Sequence, residues 1–303
     1  MIPSTKPPAS GSIPLRGSGR RLPPGSRTLG PAPSGETLQV TVVIHRSALV
    51  DVSGGHRVSP EAMRALRAFA RTHHLRVARD RLSERNITLR GTSGHFSKAF
   101  QITRTKYDSP RGIFYAYPGD IWIPKRLSAI VEGVIGLAQY PVHRVSDHQG
   151  PGQAPAQSFH PVQMSRLYSF PKDYNGRGER IALIELGGGF RIAELHKFFR
   201  DQKLPTPKIK VVSVDGVRNR PRSSSRVVDL EVQGDIETAG SVAPGAEIVV
   251  YFAPSTERGL YDAVVKAVHD KQNKPSIISI SFGEVELFWA PRTLRLVSGL
   301  SLQ

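Results

Sequence analysis

VVDLEVQGDIETAGSVAPGAEIVVYFAP, residues 227–254, reads as a helix, a tight turn and a buried strand. Glu231 and Asp235 are four residues apart, a spacing that puts both carboxylates on one helix face, one turn apart. Two like charges so placed cost a helix a few tenths of a kcal/mol. Gly234 lies between them, and a glycine in a helix interior costs roughly 1 kcal/mol relative to alanine. A helix with two local faults within five residues has the character of a functional site. The plain alternative for any acidic i, i+4 pair is a solvated acidic face. Ala243-Pro244-Gly245-Ala246 supplies the turn, and 247–253 form a short apolar strand closed by Pro254.

Working outward, 181–186 (IALIEL) reads as a strand, followed by Gly187-Gly188-Gly189 and a helix over 192–200. Residues 211–214 read as a strand, 215–226 as a basic loop and 261–269 as an amphipathic helix. Residues 275–281 (PSIISIS) read as another buried strand. Strands alternating with helices predict a doubly wound, mostly parallel sheet. Toward the N-terminus, 38–44 is a β-branched strand, and Ser59-Pro60-Glu61 opens a helix with Ser as N-cap and Pro at the first position. That helix runs to His73-His74, a pair suited as cations to a helix C-terminus. Alternation over 75–79 and 86–90 predicts paired strands, and 94–100 a short helix. Residues 101–107 and 112–117 predict a hairpin, and Pro124 opens a helix through Leu127, Ile130, Val131 and Val134. The order β-α-β-β-α-β with an extra hairpin points to a ferredoxin-like α/β sandwich. Residues 1–35, rich in Pro, Gly, Ser and Arg, read as a disordered basic tail, and 144–160 as a linker.

The 303 residues carry 42 Lys+Arg against 25 Asp+Glu, a net charge of +17. The imbalance is concentrated in the first 160 residues, with 22 basic and 9 acidic side chains. Such an excess suits an acidic partner: nucleic acid, a membrane surface or an acidic protein. No nucleic-acid-binding motif accompanies it. The chain has no cysteine, which excludes disulfides and thiol chemistry. It has no apolar run long enough to span a membrane, and its N-terminus lacks the apolar core of a secretory signal. The triple glycine between strand and helix invites a nucleotide-binding reading, but it matches neither G-x-G-x-x-G nor G-x-x-x-x-G-K-[ST].

The central stretch resembles the region around the catalytic Glu and Asp of the sedolisins, or serine-carboxyl peptidases. In that family a Glu, three residues and Asp-Ile-Glu precede Val-Ala-Pro-Gly-Ala and a strand ending Tyr-Phe-Ala-Pro. The matching residues are Glu231, Asp235-Ile236-Glu237, Val242 to Ala246 and Tyr251 to Pro254. His95 to Phe100, Tyr107 to Pro110 and Ile121 to Leu137 resemble the activation domain that precedes sedolisin catalytic domains. Pro161 to Pro171 resembles the opening of the mature peptidase. The resemblance covers residue 38 nearly to the end and implies an activation domain over 36–143. The linker after it would hold the maturation cleavage. Residues 161–303 would then form the N-terminal part of a subtilisin-like domain.

The resemblance implies that Glu231 is a general base, that Asp235 orients it and that Glu185 extends the network. Coupled carboxylates suit work at acidic pH. The family's Ser-Ile-Ser-Trp-Gly is here Ser279-Ile280-Ser281-Phe282-Gly283, and Phe282 has no indole N–H to donate. Leu230 stands where Gly is usual. In the family the oxyanion Asp, the nucleophilic Ser in Gly-Thr-Ser and the calcium site all follow the Ser-Ile-Ser strand. They therefore fall beyond Gln303, so the chain as given is expected to be inactive and to hold no cofactor. Ser279 and Ser281 belong to a different motif from the nucleophile. The implied partners are a protein or peptide substrate and a contact between activation and peptidase domains, in cis or in trans. The latter allows a stand-alone inhibitor. The implied location is extracellular.

Overall fold

The computed structural model describes residues 10–19, 21–52, 55–81, 85–110, 112–140, 143–144, 159–171, 173–221, 226–283 and 289–299. The chain divides into two compact units, Met1–Pro141 with Val285–Gln303, and Val142–Glu284. The expected linker lies almost wholly outside the described residues.

In the first unit, β1 (Thr37–Ile44), α1 (Pro60–Thr72), β2 (Arg76–Arg81), β3 (Asn86–Thr92), α2 (Ser93–Phe100) and β4 (Val131–Ile135) form a sheet with helices. The strand order is β4-β1-β3-β2, every pair antiparallel. Alternation along β1 turns Leu38, Val40, Val42 and Ile44 into a core with Ile87 and Leu89 of β3. Leu66 and Phe69 of α1 and Phe96 and Phe100 of α2 complete it. The start of α1 follows its sequence signals: Ser59 Oγ accepts from Ala62 N at 3.1 Å, with Pro60 first in the helix. Its end falls at the histidine pair, with His73 as the C-cap. The His73 ring packs tilted against Phe69, centroids 4.7 Å apart, and burial, then Arg126 and His74, push its pKa below 6.5. His73 thus ends the helix as the sequence suggests, in surroundings that disfavour its charged form.

Three readings are corrected here. The helix expected from Pro124 is a single 3-10 turn, Lys125–Leu127, followed by β4. The spacing of Leu127, Ile130, Val131 and Val134 imitates a helix face, but β-branched residues and Gly133 favour an extended segment. Pairing with buried β1 then decides the outcome. The tail is also not structureless throughout. Ser12–Pro14 pairs with Trp122–Pro124, and Arg27–Pro31 with Thr105–Ser109, which in turn pairs with Gly112–Ala116. Ile13 and Leu15 anchor the first of these on the core, and strands of three and five residues are too short to display alternation. Finally, the helix Pro291–Ser298, read above with the segment 161–303, belongs to the first unit. Arg292 donates from its backbone N to Gly17 O (2.9 Å), from Nε to Arg16 O (2.9 Å) and from Nη1 to Glu132 O (2.6 Å). Leu296 lies over Gly133, where any Cβ would come within 2.5 Å of its Cδ1.

The second unit contains α3 (Pro161–Leu167), β5 (Arg180–Glu185), α4 (Ile192–Asp201), β6 (Lys208–Ser213), α5 (Arg226–Val242), β7 (Glu247–Phe252), α6 (Glu257–Val268) and β8 (Ile277–Ile280). The sheet is parallel, in the order β6-β7-β5-β8. Ile181 and Leu183 of β5 and Ile248, Val250 and Phe252 of β7 share one core with Leu195 and Phe199 of α4 and with Val232 and Ile236 of α5. Helices α4 and α5 therefore cover the same face. Helix α6 packs on β5 and β7 from the other face, which bears Ala182, Ile184, Val249 and Tyr251. The connection through α4 steps across the sheet in one direction and that through α5 steps back, yet both helices share a face. The two crossovers thus have opposite hands. The crossover β7–α6–β8 steps the other way with its helix on the other face and so shares the hand of β5–α4–β6, which with the general preference for right-handed crossovers makes β6–α5–β7 the exception.

The two edges differ. On β6, Lys208 and Lys210 clamp Glu247 of the neighbouring strand at 3.0 and 2.6 Å. Strand β8, expected to be buried, is the opposite edge and exposes Ile277 and Ile280. Only one side of it has a strand partner among the described residues, so its side chains lack the second neighbour a buried parallel strand requires.

Candidate acidic site

A crossover helix runs antiparallel to its strands, so the N-terminal half of α5 lies toward the carboxyl ends of the sheet. That is where open α/β sheets place their ligands. Val232 and Ile236 fix the rotation of α5, since both are fully buried against the sheet. Glu231 and Asp235 each precede one of these anchors and are half-buried, at the border of the apolar stripe. Gly234 between them has open space where a Cβ would sit, so packing does not demand glycine there. Gly240, one and a half turns on, is different: a Cβ would come within 2.7 Å of Phe199 and 2.8 Å of Pro207. Leu230 is exposed.

Glu185 is fully buried at the carboxyl end of β5. By pleat it shares the face of Ile181 and Leu183, which is the face α5 covers. The pairing of β5 with β8 runs to Ile184 opposite Ile280, so Glu185 and Ser281 follow at the same height. Ser281 Oγ donates to Asp235 Oδ2 at 2.6 Å. The structure thus brings Glu185, Ser281 and the Glu231–Asp235 face of α5 to one end of the sheet. Phe282 is buried and starts the two-residue bridge Phe282–Gly283, paired with His143–Arg144. Its ring carries no donor.

Glu237, the third acid of the stretch, does not join them. Two residues past Asp235 it points elsewhere, accepting from Gln233 Nε2 at 2.7 Å. Burial raises its pKa, the Gln233 hydrogen bond opposes that, and Glu194 adds repulsion. Sequence reasoning also passed over Arg258, buried between Asp215 (2.8 Å) and Asp262 (3.0 Å) at the start of α6. The i, i+4 spacing of Arg258 and Asp262 was its one visible signal.

The triple glycine is a packing device. Gly187 and Gly188 have φ of 98° and 68°, and a Cβ on Gly188 would meet Val228 of α5 at 2.8 Å. A Cβ on Gly189 would lie 2.4 Å from Asn219 Oδ1. Asn219 clasps Phe190, accepting from its N at 2.8 Å and donating to its O at 3.1 Å. Residues 219–221 thus close over Gly189, whereas a Cβ on Gly187 would meet nothing within 4 Å. Among the described residues no group of three or more His, Cys, Asp or Glu could hold a metal ion. No described helix is long and apolar enough to cross a membrane.

Residues 51–140 match the family described as Pro-kumamolisin, activation domain. The chain is 34% identical to kumamolisin of Bacillus sp. (strain MN-32), over 92% of its own length and 57% of that protein's. It is also similar, at 20% identity and a TM-score of 0.39, to a solved structure of Pseudomonas sedolisin, a serine-carboxyl proteinase, complexed with two molecules of pseudo-iodotyrostatin. That likeness covers 48% of this chain and 41% of the other. The chain spans somewhat over half of the length of the kumamolisin that it matches.

Proposed function

We propose that this chain provides the activation domain and the acid half of the active site of a sedolisin-type peptidase that cleaves proteins or peptides at acidic pH. In this reading Glu231 takes and returns the proton of a serine nucleophile, Asp235 orients it, and buried Glu185 extends the network. The observation that carries the reading is the convergence of Glu185, Asp235 and Ser281 at the carboxyl end of one sheet, with Glu231 one turn from Asp235 on the same helix face. Two features of the fold support it. The order β6-β7-β5-β8 with one reversed crossover is what a subtilisin-like domain needs, and the reversed crossover carries the acid pair. The order β4-β1-β3-β2, with α1 and α2 between strands, suits a ferredoxin-like activation domain. Positive charge concentrated in the first 160 residues suits that domain to a more acidic peptidase surface, in cis or in trans. An extracellular setting accords with the resemblance.

The test is a chimera in which this chain is continued by the kumamolisin segment that follows the corresponding strand. Acid peptidase activity should appear, and Glu231→Gln should lower kcat by at least about a thousandfold, as losing a general base together with its nucleophile's activation does. An active chimera that is indifferent to Glu231→Gln would overturn the assignment.

A further inference from the structure

We propose that Ser281 is a positioning residue for Asp235, supplying a hydroxyl donor that fixes the Asp235 carboxylate against the end of the sheet. The inference rests on the reading of Glu231 and Asp235 given above and adds to it a residue that the reading did not use. Its basis is the 2.6 Å bond from Ser281 Oγ to Asp235 Oδ2, between groups 46 positions apart in sequence. A hydroxyl donating to an ionised carboxylate at this distance is among the stronger uncharged-to-charged hydrogen bonds.

Three further observations give the contact its significance. The first is where β8 changes character. Ile277, Ser279 and Ile280 are exposed, whereas Ser281 is half-covered and Phe282 buried, so the strand turns inward at the residue that reaches Asp235. The second is register. Ser279 and Ser281 lie on the same face of β8, opposite Leu183 and next to Glu185 respectively, but only Ser281 is high enough to meet the acid face of α5. The third is chemistry. Phe282 has no donor to offer the acid network, whereas the residue beside it does. Glu231 lies one turn from Asp235 on the same helix face, and Glu185 ends β5 on the sheet face that α5 covers, both of them acids. A donor from β8 therefore favours the ionised form of Asp235 against that acidic surround. With a hydrogen bond holding one oxygen, the carboxylate plane is set and Asp235 can orient Glu231 instead of rotating into solvent.

The test uses the full chain labelled with carboxyl-13C aspartate, the Asp235 signal being identified by its loss in Asp235→Asn. Titrations are compared for the native chain and for Ser281→Ala, Ser281→Cys, Ser281→Thr and Ser279→Ala. Removing the hydroxyl in Ser281→Ala, or replacing it with a weak thiol donor, should move the Asp235 titration to higher pH. Ser281→Thr should return it, and Ser279→Ala should leave it unmoved. Retention of the native amide spectrum outside β8 shows that the fold is intact, and the cysteine variant serves if the alanine variant is not. An Asp235 titration that is the same with and without the Ser281 hydroxyl overturns the proposal. So does a shift that Thr fails to reverse, since that would mark a general loosening of β8. Failure of the catalytic reading is distinct: it appears in the chimera as activity that survives Glu231→Gln, whatever Asp235 does in the titration.

Discussion

Leu296 offers the sharpest test of how the first unit is built. It is 5% exposed and lies over Gly133 of β4, where a Cβ would come within 2.5 Å of its Cδ1. Leu296→Ala removes most of a buried leucine and leaves a void that β4 cannot fill, because the residue beneath is glycine. Such substitutions cost about 2–5 kcal/mol. That corresponds to amide exchange roughly thirty-fold to several-thousand-fold faster wherever exchange requires the unit to open. Gly133→Ala should cost about 1–3 kcal/mol for the opposite reason, overpacking. Together the two should cost less than their sum, because the new methyl occupies the space the leucine vacated. The assay is hydrogen exchange by mass spectrometry on the full chain, read separately for peptides of β1, β3 and β4 and for peptides of β5 and β7. Acceleration confined to the first group, with partial rescue in the double variant, is expected. If the first group is unmoved or both groups accelerate alike, the helix Pro291–Ser298 is not part of the first unit's core.

The remaining expectations are more local. Arg104, 3% exposed, donates to Leu137 O, Ser93 Oγ, Gln139 Oε1 and Glu36, so Arg104→Ala should cost about 3 kcal/mol or more, read as a lower urea midpoint. His73 sets a pH dependence: its folded pKa lies below 6.5, so the unfolded chain binds the proton more readily. Stability of the first unit should therefore be full above pH 6.5 and fall as pH drops from there toward the folded value. His73→Gln should flatten that slope in melts taken across the range. Gly188→Ala places a side chain at φ 68° and against Val228, and should cost about 1–3 kcal/mol, while millimolar ATP should leave the Tm of the native chain unchanged.

Elements whose determinants are contiguous were legible in the sequence. The capped α1, the helix–turn–strand from α5 to β7 and the β2–β3 pairing all carry their signals within a few residues. What escaped was decided by distant partners. β4 has a helix-like spacing and became a strand because β1 offered it a ladder. Ile13 and Leu15 lie in a stretch that composition alone marks as unstructured, and they are ordered by strands more than a hundred residues away. At the proposed site, the shared helix face of Glu231 and Asp235 was legible from their spacing, while their roles came only from the resemblance. The part played by Ser281 was not, because its meaning arises from the register of β8 against β5, which no local pattern encodes.

The edge position of β8 bears directly on that site. A two-sided parallel strand is held in register by ladders on both flanks, whereas β8 has β5 alone among the described residues and exposes two isoleucines. Its register is therefore weakly fixed along Ile277–Ile280, and a slip of one residue would move Ser281 from the α5 face to the other. Three features at its carboxyl end oppose the slip: the burial of Phe282, the pairing of Phe282–Gly283 with His143–Arg144 and the bond from Ser281 to Asp235. The acid helix and the edge strand thus hold each other, Asp235 anchoring the strand and Ser281 orienting the acid. A partner strand added along Ile277–Ile280, from whatever source, would fix the register independently. The Ser281–Asp235 bond would then no longer be needed to hold the strand in place.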